Sequence, residues 1–262
     1  MDLQQINELA NYLYEAEMNL TEIEKITISK APNLTAVEAY QIQNRMTEMK
    51  LADGYEIFAP KLGLTSPAKM KQMNVTDPIY GYVFTYMLVE NNGTFRMSDY
   101  IHARVEPEIS IILKEELKGP NVTLEDVVEK VDAVVSSVEI LDSRYIGYDF
   151  THSDVIADNT SERGAVYSNA RVQLKDIDLI NEEAKLFING EIKAEGTGSA
   201  VLGNPLETLV FLANEMGKEG QAVPAGVPIM TGGMTSAVVV NEGDFIEIEY
   251  TTLGKISFTA IP

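Results

Sequence analysis

Arg104-Val105-Glu106-Pro107-Glu108-Ile109-Ser110-Ile111-Ile112-Leu113 is the stretch around which the chain is organised. Side chains along a strand point alternately to its two faces, so Val105, Ile109, Ile111 and Leu113 are expected to meet a core. Glu106 and Glu108 then share the opposite face, roughly 7 Å apart by strand rise. Two carboxylates that close repel each other. Water on an exposed face, basic side chains, or a hard divalent cation with oxygen ligands could each offset the repulsion.

A second stretch, Ala133-Val-Val-Ser-Ser-Val-Glu139-Ile-Leu-Asp142, reads as a more apolar strand with Glu139 between Val138 and Ile140. An ionised glutamate in such a strand is costly to bury without a partner. Three convergent carboxylates, with waters or substrate oxygens in the remaining positions, suit octahedral Mg²⁺ or Mn²⁺. A solvated strand face lined with glutamates fits the same spacing, which leaves the two alternatives open.

Outward from this pair, the chain divides at Gly54. Residues 2 to 18 place Leu3, Ile6, Leu9, Ala10, Leu13 and Ala16 on one helical stripe. Thr35 and Glu38 form a capping-box pattern before a second amphipathic helix carrying Val37, Tyr40, Met46 and Met49, which Gly54 ends. Residues 1–54 are therefore expected to form an N-terminal helical lobe, and 55–262 a catalytic β-rich domain. In the second part, Tyr55 to Leu64 reads as a strand with Lys61 near its end, an ordinary solvated lysine on spacing alone. Ser66 to Met73 reads as a short helix, Pro78 to Gly81 as a turn, and Tyr82 to Leu88 as a strand. Further helices are expected after Thr123 and after Asn204-Pro205, and strands from 227 to 262. Helices first and strands afterwards predict an α+β fold with a mainly antiparallel mixed β-sheet or barrel.

Composition narrows the chemistry. The 262 residues, 45% of them hydrophobic, supply one large core or a main core and a small lobe. A formal charge of -20 argues against nucleic acid and anionic membrane as partners, and any site for an anion needs a local metal or placed cations. With no cysteine there are no disulfides, thiolate nucleophiles or zinc-thiolate sites. The opening residues show neither a basic region nor an apolar one of signal type, and no apolar run is long enough to span a bilayer, so a cytoplasmic protein is expected.

Several motifs, in this order, carry a resemblance. They are Lys61-Leu-Gly-Leu-Thr-Ser66, Ala68-Lys-Met70, Gln72-Met73, Pro78-Ile-Tyr-Gly81 and Val105-Glu-Pro-Glu-Ile109, followed by Glu139-Ile-Leu-Asp-Ser-Arg144, Ile156-Ala-Asp-Asn159 and Met230-Thr-Gly-Gly233. From about Leu20 to Pro262 the chain resembles the hydratase/decarboxylase branch of the fumarylacetoacetate hydrolase superfamily, enzymes of the meta-cleavage degradation of aromatic compounds. The resemblance implies the C-terminal-domain fold of that superfamily, with Glu106, Glu108 and Glu139 as ligands of Mg²⁺ or Mn²⁺. It further implies Lys61 as the electrophile that donates to a developing enolate, and Ser161 as a substrate-contacting hydroxyl. On local grounds Ser161 fits a turn-stabilising role equally well.

Two activities of that branch compete. One removes carbon dioxide from 2-oxo-3-hexenedioate, and the other hydrates the product, 2-hydroxypenta-2,4-dienoate. Hydratases of the branch tend to carry Pro-Asp-Phe-Gly or Pro-Asp-Tyr-Gly where this chain has Pro78-Ile79-Tyr80-Gly81, and Ser-Gly-Ser where it has Thr231-Gly232-Gly233. Adding water needs a general base within reach of it, which a carboxylate supplies and Ile79 does not. Losing carbon dioxide needs no such base, and an apolar wall beside the departing carboxylate would disfavour its charge. The resemblance thus favours the decarboxylase and a small-molecule 2-oxo dicarboxylate substrate. It also implies a homo-oligomer and association with the partner vinylpyruvate hydratase. A non-catalytic protein that binds metal or an oxo acid is the alternative of a different class. Asp142 and Arg144 are expected to pair structurally, with orientation of a metal ligand as the alternative, and His102 and His152 to be structural.

Overall fold

The computed structural model describes the backbone of residues 1–262 and every side chain except those of Lys69 and Gln72, which belong to two of the motifs quoted above. Three helices open the chain: α1 (Leu3–Met18), the short α2 (Ile26–Ser29) and α3 (Ala36–Ala52). Capping boxes start α1, from Asp2 and Gln5, and α3, from Thr35 and Glu38. Gly54, at φ +90°, turns the chain out of α3. The buried stripe is not quite the expected one. Leu3 and Val37 are 72% and 69% exposed, while α3 turns Ala39, Ile42, Gln43, Met46, Thr47 and Lys50 inward.

The rest is mostly strand. In chain order it runs β1 (Ile57–Gly63), α4 (Pro67–Gln72), β2 (Ile79–Phe84), β3 (Leu88–Val89), β4 (Thr94–Arg96), β5 (Arg104–Leu113), α5 (Leu124–Lys130) and β6 (Val131–Leu141). Then follow α6 (His152–Ala157), β7 (Glu162–Tyr167), β8 (Glu183–Ile188), β9 (Glu191–Thr197), α7 (Leu206–Lys218), β10 (Pro228–Gly233), β11 (Val238–Val239), β12 (Phe245–Tyr250) and β13 (Gly254–Ile261). The expected turn at Pro78–Gly81 is absent: Ile79, Tyr80 and Gly81 already pair with β1. Residues 172 to 182 form irregular backbone with one 3₁₀ turn at Leu174–Asp176.

Two mixed, largely antiparallel sheets result, as the α+β expectation required. One runs β2-β1-β10-β5-β6-β7-β3 with β11 added to β5, and the other runs β4-β13-β12-β8-β9. Val105, Ile109, Ile111 and Leu113 of β5, with Val134, Val138 and Ile140 of β6, join Leu186, Ile246, Ile248, Ile256 and Phe258 of the second sheet and Leu209, Leu212 and Ala213 of α7 in one core. The opposite face of β5 and β6 carries Glu106, Glu108 and Ser110 with Ser137 and Glu139, followed by a small apolar cluster of Ile112, Ala133 and Val135.

That face is concave. The Lys61 ammonium of β1 contacts the Glu139 carboxylate of β6, although three strand spacings separate those strands in the sheet order. On a flat sheet this is roughly 14 Å, beyond what the two side chains span, so the sheet must curl about them. Its ends are drawn together by Asn159, whose amide accepts from the Tyr82 N–H at 2.8 Å and donates to the Tyr82 carbonyl at 2.9 Å. Gln43 ties the helices to the same place, its buried amide donating to the carbonyls of Tyr80 and Ile156 at 3.0 and 2.9 Å.

A buried ion pair also joins the helices to the sheet. Glu17 of α1 and Lys50 of α3 lie 2.7 Å apart, the ammonium is 4.6 Å from the Phe84 ring centroid, and the Tyr86 hydroxyl donates to Glu17 at 2.7 Å. Burial pushes the Glu17 carboxyl up, but Lys50, Arg144 and Arg163 more than reverse this and bring it from 4.5 to about 2. Burial pushes the Lys50 ammonium below its ordinary value against the pull of Glu17. Because the folded-state value of Glu17 lies below the unfolded one, its stabilisation is complete above about pH 4.5 and is lost as pH falls toward about 2. Urea unfolding should therefore show the midpoint dropping over that interval, and less steeply in the Glu17→Leu/Lys50→Met double variant. Lys50→Met alone removes the nearest cation from buried Glu17, leaving it Arg163 at 3.5 Å and the Tyr86 hydroxyl, and should cost about 3 kcal/mol at pH 7.

Candidate metal centre and substrate cavity

The register of β5 against β6 sets Glu106 directly opposite Glu139, Glu108 opposite Ser137, and Arg104 opposite Leu141. Like charges directly opposite destabilise a sheet, and here they are also buried, with Glu106, Glu108 and Glu139 exposed by 4%, 0% and 2%. Each glutamate offers an oxygen, and these atoms lie within 4.8 Å of one another. The sequence-derived trio is thus brought to one place.

Backbone from β10 forms the adjoining wall. The Gly232 N–H donates to Glu108 Oε2 at 2.7 Å. A Cβ on Gly233 would lie 1.8 Å from Glu106 Oε2, and one on Gly232, at φ +111°, would lie 1.9 Å from Thr65 Oγ1. Both glycines of Met230-Thr-Gly-Gly233 are therefore imposed by close approach to the acidic cluster and the loop facing it.

Lys61 is no surface lysine; it is 1% exposed. Its ammonium pairs with Glu139 and lies 3.6 Å from Glu162 Oε2, a fully buried carboxyl at the start of β7. Burial alone pushes the Lys61 ammonium down; Glu139, Glu162 and Glu108 more than reverse this and hold it above the ordinary lysine value. Glu162 was not singled out from the sequence. It sits in Ser161-Glu-Arg-Gly164, with no alternating carboxylate beside it, and only the curl of the sheet carries it to Lys61.

Ser161 arrives by an unusual backbone. Asn159, Thr160 and Ser161 are all left-handed, at φ 47°, 57° and 58°, a conformation that costs each non-glycine residue of order 1 kcal/mol. The Asn159 pairing with Tyr82 holds this turn, and Gly81 makes room for it, since a Cβ there would lie 2.7 Å from Asn159 Oδ1. The outcome is that Thr160 and Ser161 line the cavity, and the buried Ser161 Oγ has no hydrogen-bond partner among the described residues.

The cavity has a volume of about 710 Å³ and is lined by Lys61, Glu106, Glu139, Ser161 and Ile79, with Arg104, Tyr148 and His152 also on its wall. Two expectations change here. Arg144 pairs with Asp158, while the Asp142 carboxylate accepts the N–H groups of Ile101 and His102 at 2.8 and 2.7 Å. Asp142 and Arg144 meet only through the Asp142 carbonyl, because both side chains are turned to different loops. His152 lines the cavity, with a buried Nε2 that has no hydrogen-bond partner among the described residues, whereas His102 Nδ1 lies 3.2 Å from Glu22.

The fumarylacetoacetate (FAA) hydrolase C-terminal family matches residues 57–260. The chain belongs to that family. Within it, the chain is 39% identical to 4-oxalocrotonate decarboxylase of Pseudomonas putida over 98% of this chain and 97% of the relative. The solved structure of 4-oxalocrotonate decarboxylase from Pseudomonas putida G7, complexed with magnesium and adipate, superimposes with a TM-score of 0.96 at 39% identity, covering 100% of this chain and 99% of that one. A 2-keto-4-pentenoate hydratase of Burkholderia vietnamiensis is 32% identical over 87% of each chain.

The residues of this family member fit a divalent cation. Glu108 Oε1 is buried and accepts no hydrogen bond among the described residues, although its carboxyl partner Oε2 is satisfied. Burial, then Glu139 and Glu106, push the Glu108 carboxyl well above its ordinary range against the opposite pull of Lys61 and the Gly232 N–H. An all-carboxylate donor set suits Mg²⁺ or Mn²⁺ and not a soft metal. Glu106→Gln keeps the shape and removes one ligand charge. Its affinity for Mn²⁺, read by calorimetric titration, should fall at least about 10-fold while the circular dichroism spectrum is unchanged.

Proposed function

We propose that this protein decarboxylates 2-oxo-3-hexenedioate to 2-hydroxypenta-2,4-dienoate, with Mg²⁺ or Mn²⁺ held by Glu106, Glu108 and Glu139. The observation that carries this is the buried, convergent carboxylate trio facing Lys61 across a cavity walled by Ile79. The bound cation would supply Lewis-acid polarisation of the substrate's 2-oxo group.

The chain's own residues do the remainder. When the bond between C5 and the far carboxylate breaks, carbon dioxide leaves and the electron pair moves through the conjugated alkene to the 2-oxo oxygen. Lys61 donates to that oxygen as its charge grows, which lowers the barrier because the ammonium is fixed beforehand by Glu139 and Glu162. Ser161 offers an unpartnered hydroxyl to the substrate. Ile79, 2% exposed, covers part of the cavity with hydrocarbon and gives an attacking water no base.

Hydration of 2-hydroxypenta-2,4-dienoate is the second reading, favoured by the hydratase relative and opposed by Ile79. The same proposal takes the enzyme to act in the cytoplasm, and, as the family resemblance implies, as a homo-oligomer and with a partner vinylpyruvate hydratase. Among the described residues no helix is long and apolar enough to cross a membrane.

Feeding 2-oxo-3-hexenedioate should release carbon dioxide in a reaction that a chelator abolishes and Mg²⁺ restores. Loss of diene absorbance from 2-hydroxypenta-2,4-dienoate without carbon dioxide would assign the hydratase instead. Lys61→Ala should lower kcat about 100- to 1,000-fold and leave Mn²⁺ affinity nearly unchanged. Full activity in that variant would remove Lys61 from the mechanism.

A further inference from the structure

We infer that Arg104 receives the far carboxylate of the substrate and makes the cavity selective for diacids; this rests on the proposal that the substrate is a 2-oxo diacid. Arg104 lines the same cavity as the acidic trio and lies on the same face of β5 as Glu106, one pleat step away. Its guanidinium carbon is 3.8 Å from the centroid of the Tyr148 ring. That ring is itself fixed, because the Tyr148 hydroxyl lies 3.1 Å from the carbonyls of both His102 and Leu141. Stacking of this kind orients the guanidinium plane and leaves its N–H edge for a planar anion.

Charge accounting within the cavity singles Arg104 out. Among the described residues the other lysine or arginine on its wall is Lys61, which is committed to Glu139 and Glu162. Burial pushes the His152 imidazole below its ordinary value, toward the neutral form. Asp149, an acid of the same wall, is 2.7 Å from Lys25. Arg45, Arg144, Arg163 and Arg171 each have a carboxylate within 4.0 Å, whereas among the described residues Arg104 in the cavity and the exposed Arg96 have none, in a chain with 40 acidic side chains. A guanidinium kept out of ion pairs in so acidic a protein is available to a ligand anion, and it draws a dianion toward a molecule of net charge -20.

The spacing agrees. One pleat step is roughly 7 Å, and the two carboxylate carbons of an extended six-carbon diacid are roughly 6 Å apart from ordinary bond lengths. A diacid whose oxo acid end lies at the level of Glu106 and Glu139 therefore brings its far end to the level of Arg104 and Leu141, the next pair along the register. Ile79 belongs to β2, separated from β5 by β1 and β10, so the apolar wall meets the carbon chain from the other side. This relocates the departing carboxylate from the apolar wall to a cation. A guanidinium stabilises that carboxylate before the bond breaks and loses it afterwards, so Arg104 serves capture and not the chemical step.

The test uses the full chain loaded with Mg²⁺, titrated calorimetrically with adipate and with hexanoate, its six-carbon monoacid counterpart. Arg104→Gln should weaken adipate binding about 10- to 100-fold and change hexanoate binding by less than about 2-fold, with Arg104→Lys between the wild type and Arg104→Gln for adipate. With 2-oxo-3-hexenedioate as substrate, KM should rise by a similar factor while kcat stays within about 3-fold. Unchanged adipate affinity and KM in Arg104→Gln, or a fall in kcat with KM held, would overturn the inference. Because adipate binding is read without turnover, it judges Arg104 even where the wild type proves to be a hydratase, and that outcome would count against the proposed reaction alone. Arg104→Lys retains a cation and the stem, so it reports if Arg104→Gln fails to fold.

Discussion

Carboxylate repulsion inside a closed space is the constraint on which the structure depends. Glu106 and Glu139 face each other across two hydrogen-bonded strands, Glu108 lies one pleat step further along, and Glu162 waits behind Lys61. The Lys61 ammonium is shared between Glu139 and Glu162, and burial raises both the Glu108 and the Glu162 carboxyls. The fold holds this cost in place with a core of Val105, Ile109, Ile111 and Leu113 on the other face of the same strand. Residues that place the acids and residues that stabilise the sheet thus alternate along one segment, so neither set can move without the other.

Curvature does the rest. Were the sheet flat, Lys61 would be an ordinary lysine at a strand end. The Asn159 clamp on Tyr82 draws the two ends of the sheet toward each other, and three consecutive left-handed residues then deliver Thr160 and Ser161 into the interior. Gly81 permits that approach, as Gly232 and Gly233 permit the approach of β10 to Thr65 and Glu106. Glycines of this chain that look like loop punctuation are, at these three positions, clearances measured against named atoms.

These facts explain what the sequence discloses and what it withholds. Strand alternation exposes Glu106 and Glu108 as a pair, and an acid within an apolar run exposes Glu139, because both signals depend on a period of two residues. The helices announce themselves through capping boxes at Asp2 and Thr35. Glu162 leaves no such trace, since it is brought to Lys61 by sheet curl, and alternation that sets Arg104 on the face of Glu106 does not show that an aromatic ring 44 residues further along the chain holds it. The turn expected at Pro78–Gly81 fails for a related reason: proline and glycine together suggest a turn, whereas Pro78 precedes the strand and Gly81 is a space kept for Asn159 inside it.

Position 79 carries the remaining weight in telling one reaction from the other. Lys61, Ser161, Glu106 and Glu139 line the cavity, and on the proposed roles these groups would serve a hydratase and a decarboxylase alike. They differ in what must happen at the far end of the conjugated chain. A hydratase has to orient and deprotonate a water there, which demands a basic atom in contact with the cavity. Ile79 presents hydrocarbon instead, from a position on β2 where it is paired across Gly63 and cannot be replaced by a neighbour without shifting the register. Strand pairing fixes the backbone of Ile79, so its hydrocarbon side chain is held at the cavity wall. The same site chemistry is thereby directed to a bond that breaks without outside help once its electrons have a place to go.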